Sequence, residues 1–286
     1  MDQKFIDLHD EYTHAPLTRQ VFLKRLAMLA GGVVAAELLL PLLEVDYAAA
    51  QMVSPTDGRL TTGTVGYRGV HGKISAYLAR PKGGGRVAAV VVIHENRGLN
   101  PHIEDVARRL ALAGFLAIAP DALSPIGGTP ADRDEARGMI YSLDREETLQ
   151  NYLAAVRFAK SHRFSTGRVG CVGFCWGGGM SNQLAVHSRE LNAAVAFYGR
   201  TPRASQVPNI KAPLLLHYAG LDRRINAGVP AYEAALKKAG VRYRLHTYAG
   251  VNHAFHNDTA ASRYDKKAAR LAWKRTIAFF SEALAI

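Results

Sequence analysis

Several short apolar runs, each separated from the next by a segment with helical periodicity, constrain the fold of this chain most strongly. The runs read VAAVVVI, GFLAIAP, NAAVAFY and APLLLHYA. An unbroken apolar run of this length is typical of a strand that other elements cover on both faces. Strands that alternate with helices favour a mostly parallel sheet with right-handed crossovers. We therefore predict an α/β fold with helices on both faces of the sheet.

Two other patterns complete the predicted elements. The segments TTGTVGYRG and KISAYLARP alternate in polarity and predict a hairpin around His71-Gly72. Apolar residues at helical spacing predict several helices, and Asp144 is a suitable N-terminal cap for one of them. The longer predicted helices cover residues 103–113, 144–160, 177–187 and 265–284.

Charge and cysteine content exclude several function classes. The chain has 286 residues and a formal net charge of +12, but its longest basic runs are pairs such as Arg108-Arg109. Binding to a phosphate backbone requires a clustered basic stripe or a recognisable module, so we expect no nucleic-acid partner. A generally basic surface favours small anionic molecules instead. The two cysteines form neither a CxxC pair nor a Cys/His metal spacing, so no metal is expected.

Residues 1–50 differ in character from residues 51–286, which we predict to form one α/β domain. A basic start, an apolar stretch over residues 26–43 and an Ala-Ala-Ala sequence at 48–50 are typical of an export signal with a cleavage site. The segment TRQVFLK resembles a twin-arginine motif, with glutamine in the place of the second arginine. Alternatively, residues 1–50 form a retained helical extension that packs on the body. Export would place the protein in the bacterial periplasm, and retention in the cytoplasm.

A membrane span is not expected in this N-terminal segment. Its apolar stretch is shorter than the ~20 apolar residues that a helix needs to cross a bilayer. Glu37 also interrupts the stretch, and Pro41 breaks its helical pattern. The protein should therefore meet its substrate without being anchored through a bilayer by this segment.

The segment Gly173-Phe174-Cys175-Trp176-Gly177 fits the nucleophile elbow, with cysteine in the position of the usual serine. It lies between a predicted buried strand and a predicted helix, which is the context that the motif requires. The turn would place the thiol at a helix N-terminus, whose partial positive charge favours the thiolate. A packing role remains open, because free cysteines are usually buried and inert. We assign that inert role to Cys171, which lies in the middle of the strand.

Asp222 and His253 occupy the positions that a catalytic triad would need. In folds with this elbow, the acid and then the histidine follow the nucleophile, each after a strand. Asp222 follows the run LLLHYAG, and His253 follows RLHTYAG. His253 would accept the thiol proton, and Asp222 would hold the imidazole in the useful tautomer. Glu95 ends another predicted strand, at the edge of the sheet where ligands gather, although position alone favours a solvated loop residue.

Together, the elbow, the Gly-x-Asp222 turn, His253-Ala-Phe255 and Glu95 resemble the dienelactone hydrolase family, from about residue 61 to the C-terminus. The resemblance implies an α/β-hydrolase fold whose Cys–His–Asp triad hydrolyses a small unsaturated lactone without a metal or cofactor. It implies that Cys175 is the nucleophile, His253 the base and Asp222 the orienting acid. Glu95 corresponds to a glutamate that contacts the resting thiol and helps to ionise it.

The resemblance also implies how substrate would be held. The backbone N–H groups of Asn96 and Trp176 correspond to the oxyanion donors. The family's lactone hydrolase binds the substrate carboxylate with two arginines, and at the place of one of them this chain has His256-Asn257. The substrate-binding candidates that remain are Arg97, Arg137, Tyr198 and Arg200.

Three hypotheses about function remain open from the sequence. The first is a hydrolase that cleaves an ester or lactone of a small, perhaps anionic, molecule through a thioester intermediate, with dienelactone itself as one option. The second is a thioesterase or deacylase for larger acyl groups, which a long apolar pocket would support. The third is a binding protein on the hydrolase scaffold whose triad is geometrically broken. Neither the substrate nor the oligomeric state follows from the sequence.

Overall fold

The computed structural model describes residues 1–14, 17–46 and 51–285. A mostly parallel sheet lies at the centre of the fold. Its strands are β1 (Leu60–Gly69), β2 (Gly72–Pro81), β3 (Val87–Ile93), β4 (Leu116–Pro120), β5 (Ser165–Phe174), β6 (Ala193–Phe197), β7 (Leu214–Ala219) and β8 (Tyr243–Tyr248). They are ordered β1-β2-β4-β3-β5-β6-β7-β8. β1 and β2 form the predicted antiparallel hairpin, β2 pairs antiparallel with β4, and the pairings from β4 to β8 are parallel. The predicted α/β-hydrolase fold is confirmed.

Helices connect the strands and extend the chain at its N-terminus. They are α1 (Gln3–His14), α2 (Arg19–Ala30), α3 (Val33–Leu43), α4 (Pro101–Leu112), α5 (Arg133–Ser142), α6 (Arg145–Ser161), α7 (Trp176–His187), α8 (Arg223–Asn226), α9 (Val229–Lys238) and α10 (Lys266–Leu284). The predicted cap is present, because the Asp144 carboxylate accepts a hydrogen bond from the Glu147 N–H (2.8 Å) at the start of α6. α5 was not predicted, although Ala136, Met139 and Ile140 lie at helical spacing and pack in the core.

Both faces of the sheet are buried, as the unbroken apolar runs predicted. Successive side chains of a strand point to opposite faces. Val91 and Ile93 accordingly lie in one core with residues of α6, α7 and α9, whereas Val90 and Val92 lie in the other with residues of α4 and α10. This two-sided burial fixes the sheet, and therefore the carboxyl ends of its parallel strands, where the predicted site residues lie.

The N-terminal helices α1, α2 and α3 pack against one another around a small apolar core that includes Leu8, Phe22 and Leu26. Their arrangement is that of a packed extension, one of the two interpretations left open above. The export interpretation concerns a cleavage sequence at 48–50, which lies outside the described residues, and it stays a prediction. Among the described residues, α2 and α3 reach the length and apolarity of a membrane span only when taken together, and they bend by 113° at their junction.

The elbow after β5 leaves no room for a side chain at two glycines. A Cβ atom on Gly173 would lie 1.9 Å from the carbonyl oxygen of Gly177. A Cβ atom on Gly177 would lie 2.4 Å from the carbonyl oxygens of Ile93 and His94. Because these neighbours are backbone atoms, a side chain at either glycine would force the backbone to move.

We expect Gly177→Ala to destabilise the fold by at least roughly 1–3 kcal/mol, because the added methyl group overpacks a fixed backbone contact. Gly138→Ala is the matched control, since Gly138 lies inside α5 and a Cβ there meets nothing within 4 Å. That control should be neutral or stabilising by up to about 1 kcal/mol, because alanine favours a helix interior. Chemical denaturation measures both, and equal stability of Gly177→Ala and the wild type would contradict the close contact.

Candidate active site

Cys175 lies on the predicted elbow, between β5 and α7. Its backbone has φ 56° and ψ −115°, and a positive φ is uncommon for a residue with a side chain. The Cys175 N–H donates to the carbonyl oxygen of Phe197 (3.0 Å), and about 8% of the residue is exposed. The N–H of Trp176 is the first of α7, and N–H groups of a first turn have no acceptor within their own helix. The elbow therefore holds the thiol at the N-terminal end of a helix.

His253 and Asp222 form the predicted pair. Asp222 follows β7, His253 follows β8, and His253 Nδ1 lies 2.5 Å from Asp222 Oδ2. The other carboxylate oxygen of Asp222 accepts from the N–H of Ile225 (3.1 Å) at the start of α8. His253 Nε2 is buried and has no hydrogen-bond partner among the described residues. The Asp222 carboxylate thus fixes the imidazole through Nδ1, and Nε2 is available to a reacting group.

Charges around His253 determine its protonation. Burial alone would lower the pKa of the imidazole, but the negative charges of Cys175 and Asp222 outweigh burial and raise the pKa of His253 to about 9. Burial would likewise raise the pKa of Asp222, whereas the facing His253 and the Ile225 N–H hold that pKa below its usual range. At neutral pH the pair is therefore an imidazolium beside a carboxylate.

The resting thiol contacts a histidine that sequence reasoning missed. His14 is the last residue of α1, and its Nε2 lies 3.1 Å from Cys175 Sγ. His14 Nδ1 faces the Asp10 carboxylate at 3.1 Å and the Asp10 carbonyl oxygen at 2.9 Å. The rings of His14 and His253 meet edge to face, with their centroids 4.5 Å apart. The thiol therefore lies beside two Asp–His pairs.

Contacts with the loop after β3 and with α5 hold α1 over the sulfur. The Asn96 side chain donates to the carbonyl oxygen of Thr13 (2.9 Å), and the Tyr12 hydroxyl donates to Asp134 (2.5 Å). Arg137 hydrogen bonds to the Tyr12 carbonyl oxygen and places its guanidinium 4.3 Å from the centre of the Tyr12 ring. These bonds involve both the backbone and a side chain of the last turn of α1, and together they fix the position of His14.

Glu95 is buried beside the cavity, and its partners are neutral side chains. Asn257 donates to Oε2 of Glu95 (2.7 Å), and the Tyr198 hydroxyl contacts Oε1 at 3.5 Å. The hydrogen-bond partner of the sulfur is His14, in the place where the family resemblance implied Glu95. The difference has a physical cause, because α1 brings an imidazole to the thiol while Asn257 holds the Glu95 carboxylate.

Three residues with side chains have positive φ angles close to this site. Besides Cys175 they are Tyr198, with φ 38°, and Ala254, with φ 64°. Tyr198 directly follows β6, and Ala254 directly follows His253. Such conformations each cost about 1–3 kcal/mol and persist only where the surroundings enforce them. The strain is concentrated in the loops that carry the nucleophile and the base.

A cavity of about 470 Å³, lined mainly by charged and hydrogen-bonding residues, opens above the sulfur. Cys175, His253, Glu95, Asn96 and His14 line it. The remaining charged residues of the lining come from distant parts of the chain and are Arg19, Glu44, Arg97, Asp132, Arg133, Asp134 and Arg263. Val45 and Ala254 are the aliphatic residues in this lining.

The arginines differ in their availability to a ligand. Arg97 lines the cavity, but its guanidinium already bonds Asp134 (2.7 Å). Arg137 is engaged with α1, and Arg200 is exposed outside the lining. Arg263, which sequence reasoning missed, lines the cavity while about 7% exposed, and its buried Nε has no hydrogen-bond partner among the described residues. Of these arginines, Arg263 is the best placed to accept an anion.

The chain is similar to members of one family over most of its length. The sequence profile of the Dienelactone hydrolase family matches residues 74–284. A carboxymethylenebutenolidase candidate of Methylorubrum extorquens is 32% identical over 256 residues, which cover 84% of this chain and 88% of that protein.

Solved structures resemble the same region. A dienelactone hydrolase candidate from Klebsiella pneumoniae is 28% identical with a TM-score of 0.71, covering 78% of this chain and 98% of its own. A dienelactone hydrolase-like promiscuous phosphotriesterase from metagenomic libraries is 25% identical with a TM-score of 0.71, covering 79% and 99%. His14 lies outside the residues that the family profile matches.

We expect His253 to stabilise the fold more at low pH than at high pH. Its folded pKa is about 9 against an ordinary value of 6.5, so its contribution is complete below pH 6.5 and is lost as the pH rises through about 9. The difference in unfolding free energy between the wild type and His253→Gln should fall over this range by at most about 3 kcal/mol. Urea denaturation between pH 6 and pH 10 measures it, and a difference that is constant or grows with pH would contradict the assigned ion pair.

Proposed function

The chain belongs to the dienelactone hydrolase family, and from this we infer that it cleaves an ester or lactone bond of a small anionic molecule with Cys175 as the nucleophile. One observation carries the proposal. His253, oriented by Asp222 at 2.5 Å, keeps a buried nitrogen free beside the sulfur of a nucleophile elbow. Acyl transfer through a covalent intermediate requires a nucleophile, an adjacent base and a group that orients the base.

In the acylation step, the Cys175 thiolate attacks the carbonyl carbon of the substrate, and a C–S bond forms while the carbonyl oxygen becomes negative. The backbone N–H groups of Asn96 and Trp176 would donate to that oxygen. Collapse breaks the C–O bond, and the leaving oxygen takes the proton from the imidazolium of His253. The product of this half is a thioester on Cys175. In the resting state the sulfur contacts His14, so a rotation about the Cα–Cβ bond of Cys175 would precede the attack.

In the deacylation step, neutral His253 accepts a proton from water as the oxygen of that water attacks the thioester carbonyl. Collapse of the second tetrahedral species breaks the C–S bond and releases the acid. The thiolate and the imidazolium are then regenerated as a pair. Asp222 stays ionised throughout and stabilises the charged ring.

The lining of the cavity favours a small polar substrate over a long acyl chain. Charged and hydrogen-bonding groups surround the sulfur, and the aliphatic lining is limited to residues such as Val45 and Ala254. This supports the ester or lactone hypothesis over a thioesterase for larger acyl groups. The intact bond between Asp222 and His253 also counts against a binding protein with a broken triad. Arg263 is the group we assign to a substrate carboxylate.

We expect Cys175→Ala to remove turnover of an activated aryl ester, with a loss of roughly 10³-fold or more in kcat. Labelling by iodoacetamide should disappear in the same variant. Cys171→Ala is the matched control, because Cys171 is fully buried and burial raises the pKa of its thiol to about 12. The control should keep both properties. Undiminished turnover in Cys175→Ala, with its fold verified by circular dichroism, would refute the proposed nucleophile.

We expect Arg263→Gln to discriminate between charged and neutral substrates. Loss of a charge-assisted hydrogen bond costs about 1.5–3 kcal/mol, so kcat/KM for a carboxylate-bearing ester should fall roughly 10–100-fold. Hydrolysis of the matching neutral ester should be nearly unchanged. Arg68→Gln, at an exposed position of β1, controls for the change in net charge. Equal losses with both esters would mean that Arg263 supports the fold rather than the carboxylate.

A further inference from the structure

The atoms around the sulfur form a set of metal ligands that the triad alone does not explain. Cys175 Sγ and one ring nitrogen each of His14 and His253 all lie within 4.8 Å of one another. Thiolate and imidazole are the ligands that zinc takes in proteins. We propose that Cys175, His14 and His253 bind a divalent cation of the zinc type, and that the bound cation reversibly blocks the hydrolase.

Both histidines are oriented as metal-binding histidines usually are. A metal-bound imidazole generally gives its other N–H group to a carboxylate, which fixes its tautomer and direction. Asp222 does this for His253 at 2.5 Å. For His14 the partner of Nδ1 is the carbonyl oxygen of Asp10 at 2.9 Å, with the Asp10 carboxylate 3.1 Å away, and a backbone carbonyl serves the same purpose. Each Nε2 atom is therefore the nitrogen left for a metal. Two histidines with their other ring nitrogen fixed in this way converge on one sulfur.

The separations are close to those of a tetrahedral site. With Zn–S near 2.3 Å and Zn–N near 2.0–2.1 Å, tetrahedral ligands lie about 3.3–3.6 Å apart. Sγ and His14 Nε2 are 3.1 Å apart, slightly closer than this, and the widest of the three separations does not exceed 4.8 Å. Side-chain movements of about 1 Å would bring the three atoms to a common ion.

An unpartnered nitrogen provides an independent indication of a ligand. His253 is buried, and its Nε2 has no hydrogen-bond partner among the described residues. An unsatisfied buried nitrogen is costly, and a metal ion would satisfy it. The fourth coordination position would open into the polar cavity, where water can enter. One thiolate and two imidazoles favour zinc over magnesium or calcium, which prefer oxygen ligands.

Metal binding would withdraw both groups that the reaction uses. The metal bonds to the Cys175 thiolate and takes the place of the proton on His253 Nε2, and that one proton leaves to solvent. The lone pair of His253 Nε2 is then on the metal and cannot accept a proton from water. The block rests on the proposed function, whereas the metal site itself does not. His14 comes from α1, so the third ligand is a contribution of the N-terminal extension.

The test titrates cobalt(II) chloride into the full chain and follows the thiolate-to-cobalt absorption in the near ultraviolet. We expect one cobalt per chain, displaced by zinc chloride, and zinc inhibition of aryl ester hydrolysis that EDTA reverses. Cys175→Ser should abolish the thiolate absorption. His14→Ala should weaken metal affinity at least about tenfold, and Asp10→Asn about 10–100-fold through the orientation of His14.

His9→Ala is the matched control, because His9 also belongs to α1 and lines the same cavity. It should bind cobalt as the wild type does. If His14→Ala does not fold, His14→Gln replaces it. Wild-type affinity in the His14 variant, or no thiolate absorption in the wild type, would overturn the proposal. A normal cobalt titration together with full turnover of Cys175→Ala would instead refute the proposed nucleophile and leave the metal site standing.

Discussion

The contact between the elbow backbone and the ends of two neighbouring strands is the constraint on which the site depends. Gly177 packs on carbonyl oxygens at the end of β3, and a Cβ on Gly178 would lie 2.5 Å from the carbonyl oxygen of Phe197 at the end of β6. Because these contacts join backbone to backbone, they fix the ends of β3, β5 and β6 relative to one another. Glu95 and Tyr198, which follow β3 and β6, are thereby fixed relative to the nucleophile. The sheet therefore sets the relative positions of these residues.

Electrostatic pairing makes it possible to bury so many ionisable groups in one place. Burial disfavours the charged form of each group, and a buried charge is tolerated when a partner compensates for it. Asp222 and Asp10 each have a pKa below its usual range because an imidazole faces the carboxylate, despite their burial. The same pairing raises the pKa of His253. Removing one member leaves its partner charged and unpaired, so these residues act as a set.

Local patterns in the sequence predicted the sheet, the hairpin, the Asp144 cap and the places of Asp222 and His253, because each depends on spacing or on a short motif. The contact of His14 with the thiol depends on the docking of α1 against loops that are distant in sequence, and local patterns do not encode such docking. Arg263 lies in a loop without a recognisable spacing, so its place in the cavity required the fold. Glu95 was placed correctly at a strand end, while its hydrogen bond to Asn257 was beyond the reach of any motif.

Helix α1, which covers the sulfur, contacts residues that lie more than 200 positions later in the sequence. Gln3 hydrogen bonds to Asn252 (2.6 Å), and His14 packs on His253, so α1 cannot make these contacts until residues 252 and 253 have been synthesised. Contacts between such distant segments carry a large closure entropy and form late. We therefore expect the elbow to form before α1 docks over it. The thiol is therefore covered by α1 only after the elbow that carries it has formed.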